Sequence, residues 1–409
     1  MDAAYSVAHA SGARGPHSRG QGFRVNTLAS QRDDGASNAT SNATSPLRVA
    51  IRTDASVSMG SGHVMRCLTL ADGLRAEGAN VRFITRAHLG HLDALIEARG
   101  YPVHSLAPRD EHVVSAEPSH AAWLGCDWRM DLEDTARVLR SAGSVDWLVV
   151  DHYALDARWE TPLREFAERI FVIDDLADRH HDADLLLDQN MIANAQQRYR
   201  SRVEPRCEQL TGVEYALLRP EFAALREIAK HRRVEAPARL LVFFGGVDAT
   251  DETGKFLDAW SAYDAERFVA EVVIGANHPR RAQHEQCALP GVTVLGYVPA
   301  MAGLMTNADH AFGASGITSW ERFCLGLNAS VVSVADNQQP IAQFLGEQGW
   351  VDSLGDARDT TPETYRRALR ALDPASAAAH ARRERLMQAV DGLGVQRVVA
   401  RLLGIQETR

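Results

Sequence analysis

The stretch MGSGHVMRCL, residues 59–68, sets a histidine among the small residues that a tight turn requires. It follows an apolar run and precedes a helical period, so we expect a strand to pass into a helix with His63 in its first turn. The partial positive charge of a helix N-terminus disfavours the imidazolium ion, and a neutral imidazole can accept a proton. Gly60 and Gly62 permit the turn and the close approach of a substrate. His63 is therefore a candidate general base.

Two charged neighbours can support that role. Arg66 lies three residues further on and so on the same helical face, where its charge also disfavours the imidazolium ion. Asp54, at the carboxyl end of the strand, can orient the ring through its other nitrogen, as a carboxylate does in a catalytic triad. The spacing is equally compatible with a capping or core histidine, because a lone Gly-x-Gly turn is common in ordinary strand-to-helix connections.

Apolar runs that alternate with helical periods predict the elements that position these residues. The alternation is typical of parallel α/β structure, and its restart predicts two doubly wound, Rossmann-like domains. Open parallel sheets bind ligands beyond the carboxyl ends of their strands, so we expect the ligand in a cleft between the domains. The runs are 47–53, 80–86, 101–106, 146–153 and 169–176, and then 239–246, 268–275, 292–297, 310–315 and 329–335.

The same pattern sets the expected domain boundaries. Residues 1–46 are rich in Ser, Ala, Gly, Asn and Arg and have no hydrophobic period, so we expect a disordered extension rather than a targeting peptide. The first domain, with His63, is predicted over 47–195, and the connection over 196–237. The second domain is predicted over 238–409, with helices at its C-terminal end.

Composition argues against several classes of protein. With 44 Lys and Arg against 53 Asp and Glu, the net charge of -9 lacks the basic excess of a nucleic-acid-binding protein. No apolar run reaches the roughly 18 residues that span a bilayer. The 5 cysteines lie far apart and fit a reducing compartment. We expect a soluble, cytoplasmic protein that binds neither nucleic acid nor membrane.

Several segments of the chain occur in the order found in one known family. They are IRTDASVSMGSGHVMRCLTLADGLRAEG (51–78), VVDHYALDARWE (149–160), VIDDLADRHHDADLLLDQN (172–190), YALLRPEF (215–222), FFGGVDATD (243–251), GASGITSWERFCLGL (313–327) and ADNQ (335–338). Through these segments the chain resembles, over roughly residues 47–350, the PseG family of UDP-2,4-diacetamido-2,4,6-trideoxy-β-L-altropyranose hydrolases. It departs from the family pattern at Ser315, where a third glycine is expected, and at Asn328, where a proline commonly stands.

This resemblance implies both a fold and a reaction. The family is related to GT-B glycosyltransferases such as MurG, which implies a GT-B arrangement of the two domains. It implies that His63 activates water to release a free diacetamido sugar from UDP, in the synthesis of pseudaminic acid. A UDP-sugar would be the small-molecule partner, and other enzymes of that pathway are candidate protein partners.

In the second half, HAFGASGITSWERF (310–323) predicts a strand, a turn of small residues and a helix. Exposed N–H groups at the start of that helix can bind a diphosphate without a metal ion, so we expect neither metal nor cofactor. The resemblance assigns Glu321 to the ribose hydroxyls, whereas an ordinary turn would leave it as a solvated helix residue. The UDP-binding candidates here are Gly316, Ile317, Thr318, Ser319 and Glu321.

Further sugar-binding candidates also follow strands. The amides of Asn337 and Gln338 suit acetamido and hydroxyl groups, although the pair could instead cap the next helix. Tyr153 can contact the sugar or line the core. Gly62 is expected beside the sugar, and His152 is a competing base.

Two remaining motifs leave alternatives open. In GT-B relatives the turn at Gly245 and Gly246 faces the donor diphosphate, but a tight turn with Asp248 as a helix cap is equally compatible. The segment DLADRHHDAD resembles a metal cluster, yet the consecutive His180 and His181 cannot easily converge on one ion, so we interpret it as a solvated turn.

Two other functions share the expected fold. A GT-B glycosyltransferase would move the sugar to a lipid or another acceptor, and fold alone does not exclude it. A noncatalytic nucleotide-sugar binding protein would keep the phosphate-binding turn and tolerate the loss of His63. The intact GSGHVMRC motif favours an enzyme over the latter.

Overall fold

The computed structural model describes residues 45–109, 117–261, 264–296, 298 and 300–405. The expected disordered extension, residues 1–46, lies outside the described residues except for its last two. Among the helices in these ranges, none is both long enough and apolar enough to cross a membrane.

The first half of the described chain forms a seven-stranded parallel sheet. The five predicted strands are present, and two further strands extend the sheet; the last of these falls in the segment 196–237 expected to connect the domains. The strands are β1 (Arg48–Thr53), β2 (Asn80–Arg86), β3 (Val103–Leu106), β4 (Val145–Asp151), β5 (Ala167–Ile173), β6 (Leu185–Asp188) and β7 (Glu208–Thr211). The helices are α1 (Gly62–Ala76), α2 (Asp93–Ala98), α3 (Trp128–Ala142), α4 (Ala157–Leu163) and α5 (Pro220–His231).

The second half forms a six-stranded parallel sheet. Its strands are β8 (Ala238–Phe243), β9 (Phe268–Val273), β10 (Val292–Leu295), β11 (His310–Ala314), β12 (Ala329–Ser333) and β13 (Asp352–Asp356). Its helical segments are α6 (Glu252–Ala259), α7 (Asp264–Arg267), α8 (Arg281–His284), α9 (Met301–Asn307), α10 (Thr318–Cys324), α11 (Gln339–Glu347), α12 (Pro362–Ala371), α13 (Ala377–Ala389) and α14 (Gly394–Leu402). The prediction of two doubly wound α/β domains is confirmed.

Both sheets reverse their strand order at one point. The orders are β3-β2-β1-β4-β5-β6-β7 and β10-β9-β8-β11-β12-β13, so the reversals lie between β1 and β4 and between β8 and β11. In doubly wound sheets, ligands bind beyond the carboxyl ends of the strands at such a reversal. Each sheet therefore has one favoured ligand position.

The strands of the first sheet are buried on both faces, and side-chain alternation decides which residue faces which helix layer. In β4, Trp147 and Val149 lie in the hydrophobic core that α1 covers. Leu148 and Val150 lie in the core on the opposite face. A residue two positions beyond Val149 therefore faces α1.

The helix α14 packs against the first sheet, although the sequence pattern assigns its segment to the second domain. Val398 and Leu402 share a buried core with Leu70 and Leu74 of α1. The indole Nε1 of Trp147 donates a hydrogen bond to the carbonyl oxygen of Leu402 at 2.9 Å. The chain after the second sheet thus stabilises the helix that carries His63.

The start of α14 packs closely against the backbone near Ala216, and this contact can be tested by mutation. A Cβ atom on Gly394 would lie 2.3 Å from the carbonyl oxygen of Ala216 and 2.6 Å from its nitrogen. We expect Gly394→Ala to lower the free energy of unfolding by about 1–3 kcal/mol, because the backbones must separate. Urea denaturation measures the change. Gly303→Ala in α9 is the control, since a Cβ there meets nothing within 4 Å; equal stability of the two variants would contradict the close packing.

Candidate functional site

His63 lies at the start of α1, as the sequence predicts. The helix begins at Gly62, so His63 is its second residue. Gly60, in the preceding turn, has a φ of 75°, a conformation that side chains rarely adopt. The His63 residue is 8% exposed and packs edge-on against the ring of Tyr153, with ring centroids 4.5 Å apart. The imidazole is therefore held at the edge of the sheet with limited access to solvent.

A buried carboxylate from β4 contacts the imidazole. The Nδ1 atom of His63 lies 2.7 Å from Oδ1 of Asp151. Arg66 donates to both oxygens of that carboxylate, from Nε at 2.7 Å and from Nη2 at 2.6 Å. Burial alone would raise the pKa of Asp151, but the charges of Arg66 and His63 outweigh it and lower the pKa. Asp151 is therefore ionised and can only accept hydrogen bonds.

This contact selects one tautomer of the neutral ring. Because the Asp151 carboxylate cannot donate, the bond at 2.7 Å requires the proton on Nδ1 of His63. The Nη2 atom of Arg66 also lies 3.2 Å from Nδ1, but it is already bonded more closely to Asp151. The Nε2 atom then carries the free lone pair, as a general base requires.

The prediction that Asp54 orients His63 is wrong. Asp54 accepts from Nη1 of Arg52 and from the backbone N–H of Arg86, each at 2.6 Å. The cause is side-chain alternation: Asp151 faces α1, whereas Asp54 lies with Arg52 on the opposite face. The competing base His152 belongs to that second group, with its Nε2 3.3 Å from Oδ2 of Asp54. Burial lowers the pKa of His152.

Two further aromatic side chains, which no sequence motif singles out, lie beside Tyr153. Trp123 stacks on Tyr153 with centroids 5.6 Å apart and meets His63 edge-on at 6.3 Å. His120 lies 4.6 Å from Trp123 and 5.3 Å from Tyr153, again between ring centroids. We call Tyr153, Trp123 and His120 the aromatic cluster. The only signal in the sequence is a tryptophan in a polar loop after β3, which does not by itself indicate a site.

The hydroxyl of Tyr153 is tied to the same charge network. It donates to Oδ1 of Asp175, whose Oδ2 lies 3.2 Å from Nη1 of Arg66. Burial, followed by the charge of Asp175, raises the pKa of Tyr153, so the phenol stays protonated. His63, Arg66 and Tyr153 of the predicted set are thus brought together, with Asp151 and Asp175 as additional members.

The predicted residues from the second half of the chain lie at the second sheet, whereas Gly62 lies beside His63 at the start of α1. Gly316 follows β11, and a Cβ on it would lie 3.6 Å from Nε2 of Gln338. Asn337 and Gln338 form a short 3-10 turn before α11. The hydroxyl of Ser319 lies 3.0 Å from Nη2 of Arg322, which donates to it. The turn and the amide of Gln338 therefore lie side by side.

Glu321 lies in the first turn of α10, and its Oε1 is 3.7 Å from Nη2 of Arg219. Burial raises the pKa of Glu321 to about 7, against the opposing effect of Arg219 and Arg322. The side chain is 14% exposed. Its charge therefore changes near neutral pH.

The turn at Gly245 and Gly246 follows β8. Gly245 has a φ of 109°, and a Cβ on Gly275 would lie 2.2 Å from the carbonyl oxygen of Gly246. Asp248 accepts hydrogen bonds at 2.9 Å from the N–H groups of Glu252 and Thr253. These contacts are those of a helix cap, which was one of the two interpretations of Asp248. Whether the glycines contact a diphosphate stays a prediction.

One group of possible metal ligands lies beside this turn. Among the described residues, Asp251, His278 and His284 have ligand atoms within 4.8 Å of one another. The Nδ1 atom of His278 accepts the backbone N–H of Arg280 at 3.0 Å, so its Nε2 carries the proton and faces Oδ2 of Asp248 at 3.2 Å. That tautomer offers no lone pair to a cation. Hydrogen bonds therefore account for the arrangement, which ties the two loops together.

The interpretation of DLADRHHDAD as a solvated turn needs a correction, because Arg179, His181 and Ala183 are buried. His181 is 3% exposed, and its Nδ1 lies 2.7 Å from Oε1 of Glu160 in α4. His180 is exposed. The two histidines therefore have different environments, and His181 has a structural partner.

No protein-family model matches the chain. It is similar to the UDP-2,4-diacetamido-2,4,6-trideoxy-beta-L-altropyranose hydrolase of Campylobacter jejuni, with 23% identity over 307 residues that cover 74% of this chain and 98% of that protein. An uncharacterized protein of Methanocaldococcus jannaschii is 23% identical over 296 residues, and the chain spans only 55% of its length. The spore coat polysaccharide biosynthesis protein SpsG of Bacillus subtilis is 30% identical over 151 residues, 35% of this chain and 43% of SpsG.

Solved structures establish the fold. MurG of Acinetobacter baumannii aligns with a TM-score of 0.60 and 15% identity over 88% of this chain and 100% of its own. The kitacinnamycin glycosyltransferase aligns with a TM-score of 0.63 and 16% identity over 87% of this chain and 99% of its own. The chain has the GT-B fold.

The tautomer of His63 can be measured directly. We expect ¹⁵N NMR of histidine-labelled protein at alkaline pH to show a neutral His63 protonated at Nδ1, because the Asp151 carboxylate accepts that proton. In Asp151→Asn the Nδ1 tautomer should lose its predominance, since an amide can also donate. His63→Asn identifies the signal. A ring protonated at Nε2 in the unmutated protein would overturn the assignment.

Proposed function

We propose that the protein hydrolyses a UDP-activated 2,4-diacetamido-2,4,6-trideoxy sugar to the free sugar and UDP, in the synthesis of pseudaminic acid. The observation that carries the proposal is the His63–Asp151 contact at the strand-order reversal of the first sheet. Support also comes from the Campylobacter jejuni hydrolase, which the chain matches over 98% of that protein's length.

The proposed reaction is a direct displacement at the anomeric carbon. Nε2 of His63 takes a proton from water while the water oxygen bonds to C1. The bond between C1 and the phosphate oxygen breaks with its electron pair, and UDP leaves. Asp151 stabilises the imidazolium that forms, because it is ionised and lies 2.7 Å from Nδ1. A single displacement inverts the configuration at C1.

The second sheet would bind the nucleotide and orient the sugar. The N–H groups of residues 316–318 would hold the diphosphate, with Ser319 and the turn at 245–246 beside it. Glu321 would accept hydrogen bonds from the ribose hydroxyls. Asn337, Gln338 and Tyr153 would contact the sugar, and Gly62 would give it room. UDP is a good leaving group once its charge is stabilised, so these groups need not protonate it.

The alternative is transfer of the sugar to a lipid or another acceptor. The solved structures with this fold include glycosyltransferases, and a base such as His63 can deprotonate an acceptor hydroxyl as well as water. A protein that only binds nucleotide sugars is the third candidate. A hydrolase transfers the sugar to water and a glycosyltransferase transfers it to another acceptor, so the acceptor distinguishes these two. A protein that only binds the nucleotide sugar shows no turnover.

We expect the purified protein to release UDP from the diacetamido sugar nucleotide without any acceptor. The freed sugar should carry oxygen-18 from labelled water at C1, because the C1–O bond breaks. His63→Ala should lower the rate about 10²- to 10⁴-fold, since the general base is lost, while UDP affinity stays unchanged. Mass spectrometry and calorimetry provide the measurements.

The matched control is His231→Asn, which changes a histidine with 77% side-chain exposure on α5. Its rate should equal that of the unmutated protein. UDP release that appears only after membranes or an acceptor are added would refute hydrolysis and favour transfer. Tight binding of the intact nucleotide sugar without turnover would favour the binding protein.

The raised pKa of Glu321 predicts a pH dependence of nucleoside binding. Below a pKa of about 7 the carboxyl group is protonated, and above it the carboxylate accepts hydrogen bonds from ribose hydroxyls more strongly. Uridine affinity should therefore rise from about pH 6 to about pH 8, and Glu321→Gln should abolish the rise. Uridine is the probe because it has no phosphate that titrates in this range. An equal rise in both proteins would exclude Glu321 as its source.

A further inference from the structure

The aromatic cluster beside His63 contains polar atoms that the proposed displacement does not use. Trp123 and His120 are both partly exposed. They lie on or next to the 3-10 turn Ala121–Leu124, which Leu124 anchors in the core of the first sheet. A half-exposed tryptophan and histidine on an anchored turn next to a general base can contact a bound sugar.

The hydrogen bonds of Ser119 define the tautomer of His120. Ser119 Oγ donates to Oδ2 of Asp178 at 2.9 Å, and it lies 3.0 Å from Nδ1 of His120. The hydroxyl has one proton, which goes to the carboxylate, so its oxygen accepts from Nδ1–H. Burial lowers the pKa of His120, which favours the neutral ring. The Nε2 atom of His120 is therefore a hydrogen-bond acceptor.

The indole of Trp123 supplies the complementary donor. No residue in the described part of the chain accepts a hydrogen bond from Nε1 of Trp123, and none there bonds to Nε2 of His120. The ring centroids of the two side chains are 4.6 Å apart. One acceptor, one donor and an aromatic surface are thus available within one small area.

We propose that His120 and Trp123 form a binding subsite for one acetamido group of the sugar. An acetamido group has an N–H that can donate to Nε2 of His120, a carbonyl oxygen that can accept from Nε1 of Trp123, and a methyl group that packs on an aromatic face. The inference deepens the proposed function and rests on it, because it names the sugar substituent that the first sheet selects.

The neighbouring charges disfavour other ligands. A carboxylate or phosphate would meet Asp175 and Asp178, which border the cluster through Tyr153 and Ser119. The guanidinium of Arg179, 5.8 Å from the Tyr153 ring centroid, is already paired with Asp174 and Asp178. A free hydroxyl would leave the aromatic face of Trp123 uncovered. An ammonium group would offer donors to His120 but nothing that Trp123 could donate to. An uncharged amide with a methyl group matches the acceptor on His120, the donor on Trp123 and the aromatic surface.

The experiment uses the diacetamido sugar nucleotide and its two analogues with a free amine at C2 or at C4. The unmutated protein should prefer the full substrate over one of the analogues in kcat/KM. His120→Phe and Trp123→Phe keep an aromatic ring, but the first removes the hydrogen-bond acceptor and the second removes the donor. Each should raise KM for the full substrate about three- to tenfold and reduce that preference by a similar factor, while the inhibition constant of UDP is unchanged.

The control is Trp128→Phe, because Trp128 is also partly buried but packs on Arg129, with centroid and guanidinium 4.4 Å apart. It should keep the preference. If both test variants also keep the preference for the full substrate, the subsite is refuted while the proposed function stands. The same follows if the unmutated protein binds UDP but uses the full substrate and both analogues equally well. If the unmutated protein neither binds UDP nor releases it, the proposed function fails as well. Thermal melting verifies folding, and if one of the two test variants unfolds, the other still tests the subsite.

Discussion

The carboxylate of Asp151 is the group on which the candidate site depends. It is fully buried, and α1 supplies the imidazole of His63 and the guanidinium of Arg66 that contact it, from positions three residues apart. A buried carboxylate without a cation would be strongly destabilising, so Arg66 is needed to keep Asp151 ionised. The ionised group in turn fixes the ring of His63 and its tautomer. One interaction therefore sets the position, the orientation and the proton of the candidate base.

The two sheets divide the chemistry between them. At the reversal of the first sheet lie the groups that can move a proton, whereas the turns after β8 and β11 offer N–H groups suited to anions. The Asp carboxylates of the first group would repel a diphosphate. In the second group, Asp248 is bonded to backbone N–H groups and Glu321 lies in the first turn of α10. This separation is what displacement at a phosphorylated carbon needs, since base and leaving group must stand on opposite sides of that carbon.

The sequence predicts the fold well because buried parallel strands are continuous apolar runs and helices keep their period. It also predicts that His63 opens a helix, since a helical period of apolar residues follows it and the glycines before it permit a tight turn. It fails at Asp54, because adjacency in the chain says nothing about which face of the sheet a side chain occupies; Asp151 comes from the neighbouring strand β4. Trp123 and His120 could not be predicted, since their role arises from rings that meet only after folding.

The packing of α14 on α1 links the order of synthesis to the assembly of the site. A Cβ on Gly73 of α1 would lie 2.5 Å from Val395 of α14, so the two helices fit together at short range. All of the second sheet lies between them in the chain. While the ribosome still holds the last helix, α1 exposes a strip of apolar surface and the histidine it carries has incomplete support. The helix layer that covers this face of the first sheet is therefore completed only after the whole second sheet has been synthesised.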